Sequence, residues 1–420
     1  MTTLERMTAL PSIEEFIASS PSSYHAAENI AAILDTAGFT RQDETDTWQA
    51  TPGGHYMIRG GALMAWWVPE NASPATSGFR IIGSHTDSPG LKLKPTISFD
   101  KEGFHQAPVE IYGGPILASW LDRELQLAGQ IIDADGNRRL IATGPVLRVP
   151  HLAIHLYRQD ELKLERQQHM QPIYGLVESP ELATLLDGAR THDLITADTQ
   201  PPRAFGIKNE FLAAGRLDNL SSVYPSLEAL LDVVADSNAT SSIKNVLVLA
   251  AFDHEEIGSS SRYGAAGPIL EDVLKRTAYA LGAGEDDLYA MFARSSCISA
   301  DAAHSVHPNF ASKHDPNTHP VLGGGPVLKV NACQRYASDA HSNDIWLRAS
   351  EKAGVAVQQF VGNNDVPCGS TIGPITATRL GILTVDVGIP LLSMHSAREM
   401  CAYSDLKDFA KVLAAYYTLD

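Results

Sequence analysis

The sequence is poor in cysteine, in basic charge and in long apolar runs. Its four cysteines, Cys297, Cys333, Cys368 and Cys401, show no CxxC spacing, which excludes zinc-ribbon and thioredoxin-like readings. So few thiols in 420 residues form no disulfide framework and fit a reducing cytoplasm. Lys and Arg total 32 against 49 Asp and Glu, a net charge of −17. No basic footprint for nucleic acid or an anionic membrane surface follows from that balance. The longest apolar stretches, 62–68 and 246–252, are far too short to span a bilayer and read as buried strands. Residues 1–16 carry Glu5, Glu14 and Glu15 without an apolar h-region, so they read as no signal peptide. Internal repeats and linker-like tracts are also missing.

What is present is enough for a large core. Hydrophobic residues make up 44% and charged residues 19%, which excludes global disorder. At about 150 residues per domain the length suggests two to three domains. Residues 23–37 read as a helix, with Gly38 placed as its C′ residue. Strands are expected at 62–68 and 79–83, then at 109–112, 127–133 and 145–149, with a hairpin signal at Asp135-Gly136-Asn137 and a helix over 180–187. After residue 215 the texture alternates. Helices are expected at 220–234, 268–280, 340–353, 371–379 and 404–417, and strands at 246–252, 297–300, 355–361 and 382–387. That alternation predicts an α/β fold, a mostly parallel sheet with helices on both faces. The economical division is one α/β domain over 1–93 and 206–420, interrupted by a β-rich insert over 94–205.

Four expected strand ends carry acids or histidines: Ser84-His85-Thr86-Asp87, Asp253-His254-Glu255-Glu256, Asp301-Ala302-Ala303-His304 and Met394-His395-Ser396. A fifth segment, Arg216-Leu217-Asp218-Asn219, places an acid before a helix. Singly each has a plainer reading: a surface His, an N-capping Asp, a solvated Glu pair. Together they lie where open α/β sheets bind ligands, beyond the carboxyl ends of strands. Two His and three acids there suit a dinuclear metal site with a carboxylate to spare as base. Asp87 is placed to accept the spare N–H of His85, and Asp218 to bridge two ions. Imidazole with carboxylate suits Zn²⁺, Mn²⁺ or Co²⁺.

Six motifs carry a resemblance: Gly83-Ser84-His85-Thr86-Asp87-Ser88-Pro89, Arg216-Leu217-Asp218-Asn219-Leu220, Glu255-Glu256-Ile257-Gly258-Ser259, Ile298-Ser299-Ala300-Asp301, Gln334-Arg335-Tyr336-Ala337 and Met394-His395-Ser396-Ala397-Arg398-Glu399. In this order the chain resembles the aspartyl aminopeptidase family of dinuclear zinc metallopeptidases, nearly end to end. The resemblance implies that the β-rich insert is a dimerisation domain. It implies that His85 and Asp301 hold one ion, Glu256 and His395 the other, and Asp218 both, with Glu255 as general base. It further implies that His155, in Pro150-His151-Leu152-Ala153-Ile154-His155, reaches a neighbouring subunit's site, and that Lys329 and Tyr336 bind the substrate's N-terminal side chain. Taken on its own, Lys329 reads as a snorkelling or edge residue. His254, beside the base, is left outside the site.

The function expected is removal of an N-terminal, acidic residue from peptides by a cytoplasmic homo-oligomer, a dodecamer by resemblance. The rivals are another dinuclear hydrolase, such as a carboxypeptidase or deacylase, and a non-catalytic shell or binding assembly.

Overall fold

In a computed structural model of the chain, which describes residues 10–159 and 161–419, the two apolar runs become neighbouring strands. The expectation for residues 1–9 as part of no signal peptide lies outside the described residues. Nine strands form the main sheet: β1 (Thr40–Arg41), β2 (Gly53–Arg59), β3 (Ala62–Val68), β4 (Phe79–His85), β5 (Val246–Phe252), β6 (Ser296–Ala300), β7 (Val327–Val330), β8 (Gln358–Val361) and β9 (Leu383–Gly388). Their order is β1-β2-β3-β5-β4-β6-β9-β7-β8. The pairs β1–β2, β5–β4, β4–β6, β6–β9 and β7–β8 are parallel. The pairs β2–β3, β3–β5 and β7–β9 are antiparallel.

Both faces of this sheet are covered, which is why its central strands are apolar throughout rather than alternating. Along β5, Leu247, Leu249 and Ala251 enter one core, while Val246, Val248, Ala250 and Phe252 enter the other. The first core takes helices α1 (Ile13–Ser19), α2 (Ser23–Thr36) and α3 (Leu217–Ala235), and the second takes α4 (Ile269–Ala280) and α5 (Glu285–Ala293). Helix α6 (Ala340–Ala353) joins the first core through Trp346, α7 (Ile372–Leu380) the second through Ile372, and α8 (Tyr403–Tyr417) the first through Phe409. Burying a side chain such as Phe252 or Phe409 contributes roughly 1.5–3 kcal/mol. Local signals set the helix ends. Ser22 caps α2, Ala37 ends it, and Gly38 follows with φ +85°. Asp339 and Ser342 form a capping box on α6, and Thr371 caps α7.

Residues 90–198 build a separate β-rich part. Its five-stranded antiparallel sheet runs Arg138–Ala142, Leu125–Asp133, Ala189–Asp198, Gly90–Leu93, Val109–Tyr112. It packs on its own core, which includes Leu91, Trp120, Leu127, Ile131 and Leu194. Two expectations here are corrected. Residues 145–149 form no strand; Leu147 and Val149 make isolated bridges to Leu125 and Leu121, because this segment serves several neighbours in turn. Residues 180–187 form only a 3-10 turn, Leu182–Leu185, since Pro180 and Gly188 bound the segment at both ends. Among the described residues, no helix is long and apolar enough to cross a membrane.

Candidate metal centre

Strand register assembles the site. Strands β5, β4 and β6 run parallel, so their carboxyl ends share one edge. His85 lies opposite Phe252, which leads directly to Asp253-His254-Glu255-Glu256. Ser299 lies opposite Gly83, which brings Asp301 level with His85. Asp218 arrives from the start of α3, where its own φ/ψ are not helical. It is no N-cap: its carboxylate turns towards the strand ends. Asn219 fixes this approach by donating its side-chain N–H to the Ala300 carbonyl at 2.8 Å, and Ser88 donates to the Asp218 carbonyl at 2.7 Å. His395 stands on the loop after Pro390–Leu391 with φ +66°, a left-handed conformation that a non-glycine residue holds only under restraint.

The donor atoms converge in two groups around Asp218. Its Oδ1 lies 3.3 Å from His85 Nε2, and Asp301 Oδ1 lies 3.4 Å from that same nitrogen. Its Oδ2 lies 3.1 Å from His395 Nε2, and Glu256 Oε2 lies 3.4 Å from that nitrogen. Glu255 Oε2 is 3.9 Å from His85 Nε2. Within each of the sets His85–Asp218–Asp301, His85–Glu255–Glu256 and Asp218–Glu256–His395, ligand atoms lie within 4.8 Å of one another.

Asp87 departs from its expected geometry. His85 Nδ1–H donates to the Asp87 backbone carbonyl at 3.0 Å, while the carboxylate stands farther off at 3.3 Å. That carboxylate instead accepts the backbone N–H groups of Glu255 and Glu256, at 3.0 and 3.1 Å. One acid therefore orients the imidazole and also fixes the turn that carries both glutamates.

Charge shapes the titration of the cluster. Burial alone would lower the His85 pKa, but Asp218, Asp301 and Asp87 outweigh it and raise it well above the ordinary value. Burial raises Asp218, yet His395 and His85 bring it below the usual carboxylate range. Glu255 is pushed up to about 8 by burial, against His85 and with the help of Asp301. Glu256 is raised well above its ordinary value by burial and by Asp218.

Lys329 is neither an edge nor a snorkelling residue. It sits on β7 between β9 and β8 and is 1% exposed. Its ammonium donates to the carbonyls of Asp301 at 2.9 Å and Ala302 at 3.2 Å. The Tyr336 ring centroid is 5.0 Å from it. His155 is not brought to the cluster; it is exposed on the turn after Ala153. His254 has φ +64° and pairs its Nδ1 with Ser261 Oγ at 2.9 Å.

One residue has a place in the site that the sequence reading did not assign. Glu399, 2% exposed, accepts the backbone N–H of Asp218 at 3.1 Å and that of His395 at 2.8 Å. It thereby holds a member of each donor group and satisfies the backbone of the left-handed His395. The stretch Met394–Glu399 contains it, but nothing in its spacing reveals two backbone partners separated by most of the catalytic sheet.

Known proteins resemble the chain along nearly all of its length. The family described as aminopeptidase I zinc metalloprotease (M18) matches residues 16–192 and 185–417. A probable M18 family aminopeptidase 2 of Streptomyces avermitilis is 50% identical over 416 residues, covering 96% of this chain and 95% of that protein. One from Pseudomonas entomophila is 42% identical over 425 residues, covering 96% of each. Among solved structures, the S. cerevisiae mApe1 dodecamer aligns with a TM-score of 0.85 at 28% identity, covering 99% of this chain and 97% of that one. The M18 aminopeptidase of Thermotoga maritima shares the fold, with a TM-score of 0.86 at 24% identity over 99% of this chain and 97% of that one. With its length matched almost throughout, the chain belongs to the M18 family of zinc metalloproteases and is an aminopeptidase.

Proposed function

We propose that the chain is a two-metal aminopeptidase that removes acidic N-terminal residues from peptides and works as a homo-oligomer. One observation carries the reading: the two oxygens of Asp218 face different imidazoles, at 3.3 Å for His85 and 3.1 Å for His395. Each imidazole also has its own acid, Asp301 or Glu256. The residues fit divalent ions. Asp218 Oδ1 and Glu256 Oε1 are buried without a hydrogen-bond partner, and such orphaned oxygens are costly unless a cation takes them. The donor set suits Zn²⁺, with Mn²⁺ or Co²⁺ acceptable.

When bound, such ions polarise a scissile carbonyl and lower the pKa of a coordinated water. Glu255, held by Asp87 through its backbone, takes the water's proton and passes it to the leaving amine. Asp87 orients His85 so that Nε2 faces Asp218 and Asp301. A substrate carboxylate entering among Asp87, Asp218, Glu255, Glu256 and Asp301 needs a cation of the protein's own. Lys329, beside Asp301 and under Tyr336, supplies it.

The oligomeric part of the reading is supported by the segment around His155. Leu152, Ile154 and Leu156 are 51%, 62% and 74% exposed, an apolar display suited to burial against a second copy. His155 is exposed among them, and in this reading it is the residue that reaches a neighbour's site. We assign assembly to the β-rich insert, expected over 94–205 between catalytic segments 1–93 and 206–420, whose sheet is built by residues 90–198. The relative solved as a dodecamer supports that number here. The four free thiols support a cytoplasmic location.

The test combines metal content with substrate choice. Elemental analysis should find two ions per chain, and a panel varying only the N-terminal residue of one peptide should favour Asp and Glu. A single ion, or equal cleavage of apolar N-termini, overturns the corresponding part.

A further inference from the structure

The segment 112–116 belongs to the β-rich part, yet it grips both donor groups of the metal centre. Strand Val109–Tyr112 pairs with Gly90–Leu93, and Gly90 lies opposite Tyr112. Because Gly90 follows Asp87 by three residues, that register delivers the Tyr112 hydroxyl to Asp87 Oδ2 at 2.7 Å. Both partners are buried, at 8% and 4% exposure. The same Asp87 carboxylate receives the Glu255 and Glu256 N–H groups, so the tyrosine hydroxyl sets the angle from which it does so.

The next residues act on the other donor group. Gly113 has φ +69°, and a Cβ there would lie 3.2 Å from the Cβ of Glu256, so glycine makes this approach without strain or displacement of Glu256. The Gly114 carbonyl accepts the Nδ1–H of His395 at 3.1 Å. That bond turns the ring so that Nε2 faces Asp218 Oδ2, at 3.1 Å. Ile116 N–H donates to the His395 carbonyl at 2.9 Å.

We propose that residues 112–116 are a positioning strap of the catalytic centre, with Tyr112 acting through Asp87. The β-rich part then serves catalysis within its own chain, separately from any role in assembly. The proposal rests on the ligand set given above for the two ions.

The experiment compares three variants of the full chain. Tyr112→Phe removes only the hydroxyl. Removing such outer partners typically costs about 10–100-fold in activity or metal affinity. The expected result is a fall of that size in kcat with KM changed less than about twofold, and easier loss of zinc from the resting protein to a competing chelator. Tyr24→Phe is the matched control. Its hydroxyl donates to Asp193, which is none of the proposed ligands, at 2.6 Å across the contact between α2 and the β-rich sheet. It should keep wild-type kcat and zinc retention. Wild-type kcat and zinc retention in Tyr112→Phe overturn the strap. Equal losses in both tyrosine variants also overturn it, since the effect is then one of docking the two parts. His395→Ala separates the premise from the proposal: if it keeps full zinc and activity, the ligand set itself is wrong and the strap falls with it.

Discussion

The Lys329 ammonium binds Asp301 twice, at 2.9 Å from its backbone carbonyl and 3.4 Å from its carboxylate. A cation and a proposed metal ligand are thus one unit. Lys329→Glu would set two carboxylates against each other and disturb the metal together with specificity, so Lys329→Met is the cleaner substitution. A charge-assisted hydrogen bond contributes about 1.5–3 kcal/mol, so kcat/KM for Asp and Glu substrates should fall about 10–100-fold. Leu and Ala substrates should change much less. An unchanged ratio between the two substrate types removes Lys329 from the specificity pocket.

Glu255→Gln should keep the metal and the assembly while losing turnover. The Asp87 bonds reach the backbone of residue 255 and survive the substitution. General-base action is typically worth about 10²–10⁴-fold in rate. Stopped-time assays at saturating substrate decide; near wild-type kcat would show that the proton leaves by another route.

Asp218→Ala should release both ions, whereas Asp301→Ala should release only the one beside His85. The difference follows from the split orientation of the Asp218 oxygens. Elemental analysis of gel-filtered protein measures it, and two tightly held ions in the Asp218 variant would refute the bridge.

His25 gives stability an acid limit independent of the metal centre. It lies in the first turn of α2, with Nδ1 2.8 Å from the capping Ser22 Oγ. Burial, then Arg138 and Arg216, lowers its pKa from 6.5 to about 4. Between those values the unfolded chain binds the proton and the folded chain does not. Stability is therefore intact above pH 6.5 and is lost as pH falls towards 4. After solvent screening at a half-buried group, the loss is about 1–2 kcal/mol. Denaturant titrations of His25→Gln should show a shallower decline across that window than the wild type; parallel curves would exclude the assignment.

The sequence was most legible where one local signal dominates. Strands Ala62–Val68, Val109–Tyr112 and Val246–Phe252 and helix Ala340–Ala353 have the expected bounds. Continuous apolar runs or a capping box mark most of them. Strands Gly53–Arg59 and Ala189–Asp198 mix polar with apolar residues and owe their form to the neighbours they pair with. The candidate ligands were visible because acids and histidines at parallel strand ends must meet on one edge. Glu399 and Tyr112 were not, because each acts on groups that only the folded backbone brings near: two amides for one, a carboxylate across a register for the other.

The pairing of β4 with β5 sets Phe79 against Val246, and that interval bears on how the protein is made. Closing a loop of this length costs about 2.5 kcal/mol more than closing a hairpin of about ten residues. The central strands therefore meet late, after the β-rich part has left the ribosome. His395 and Glu399 come later still, and Glu399 holds the backbone of both Asp218 and His395. On the proposed ligand set, a nascent chain or a truncated product ending before residue 399 lacks a complete peptidase centre, so the order of synthesis would itself delay proteolytic activity until the catalytic sheet is built.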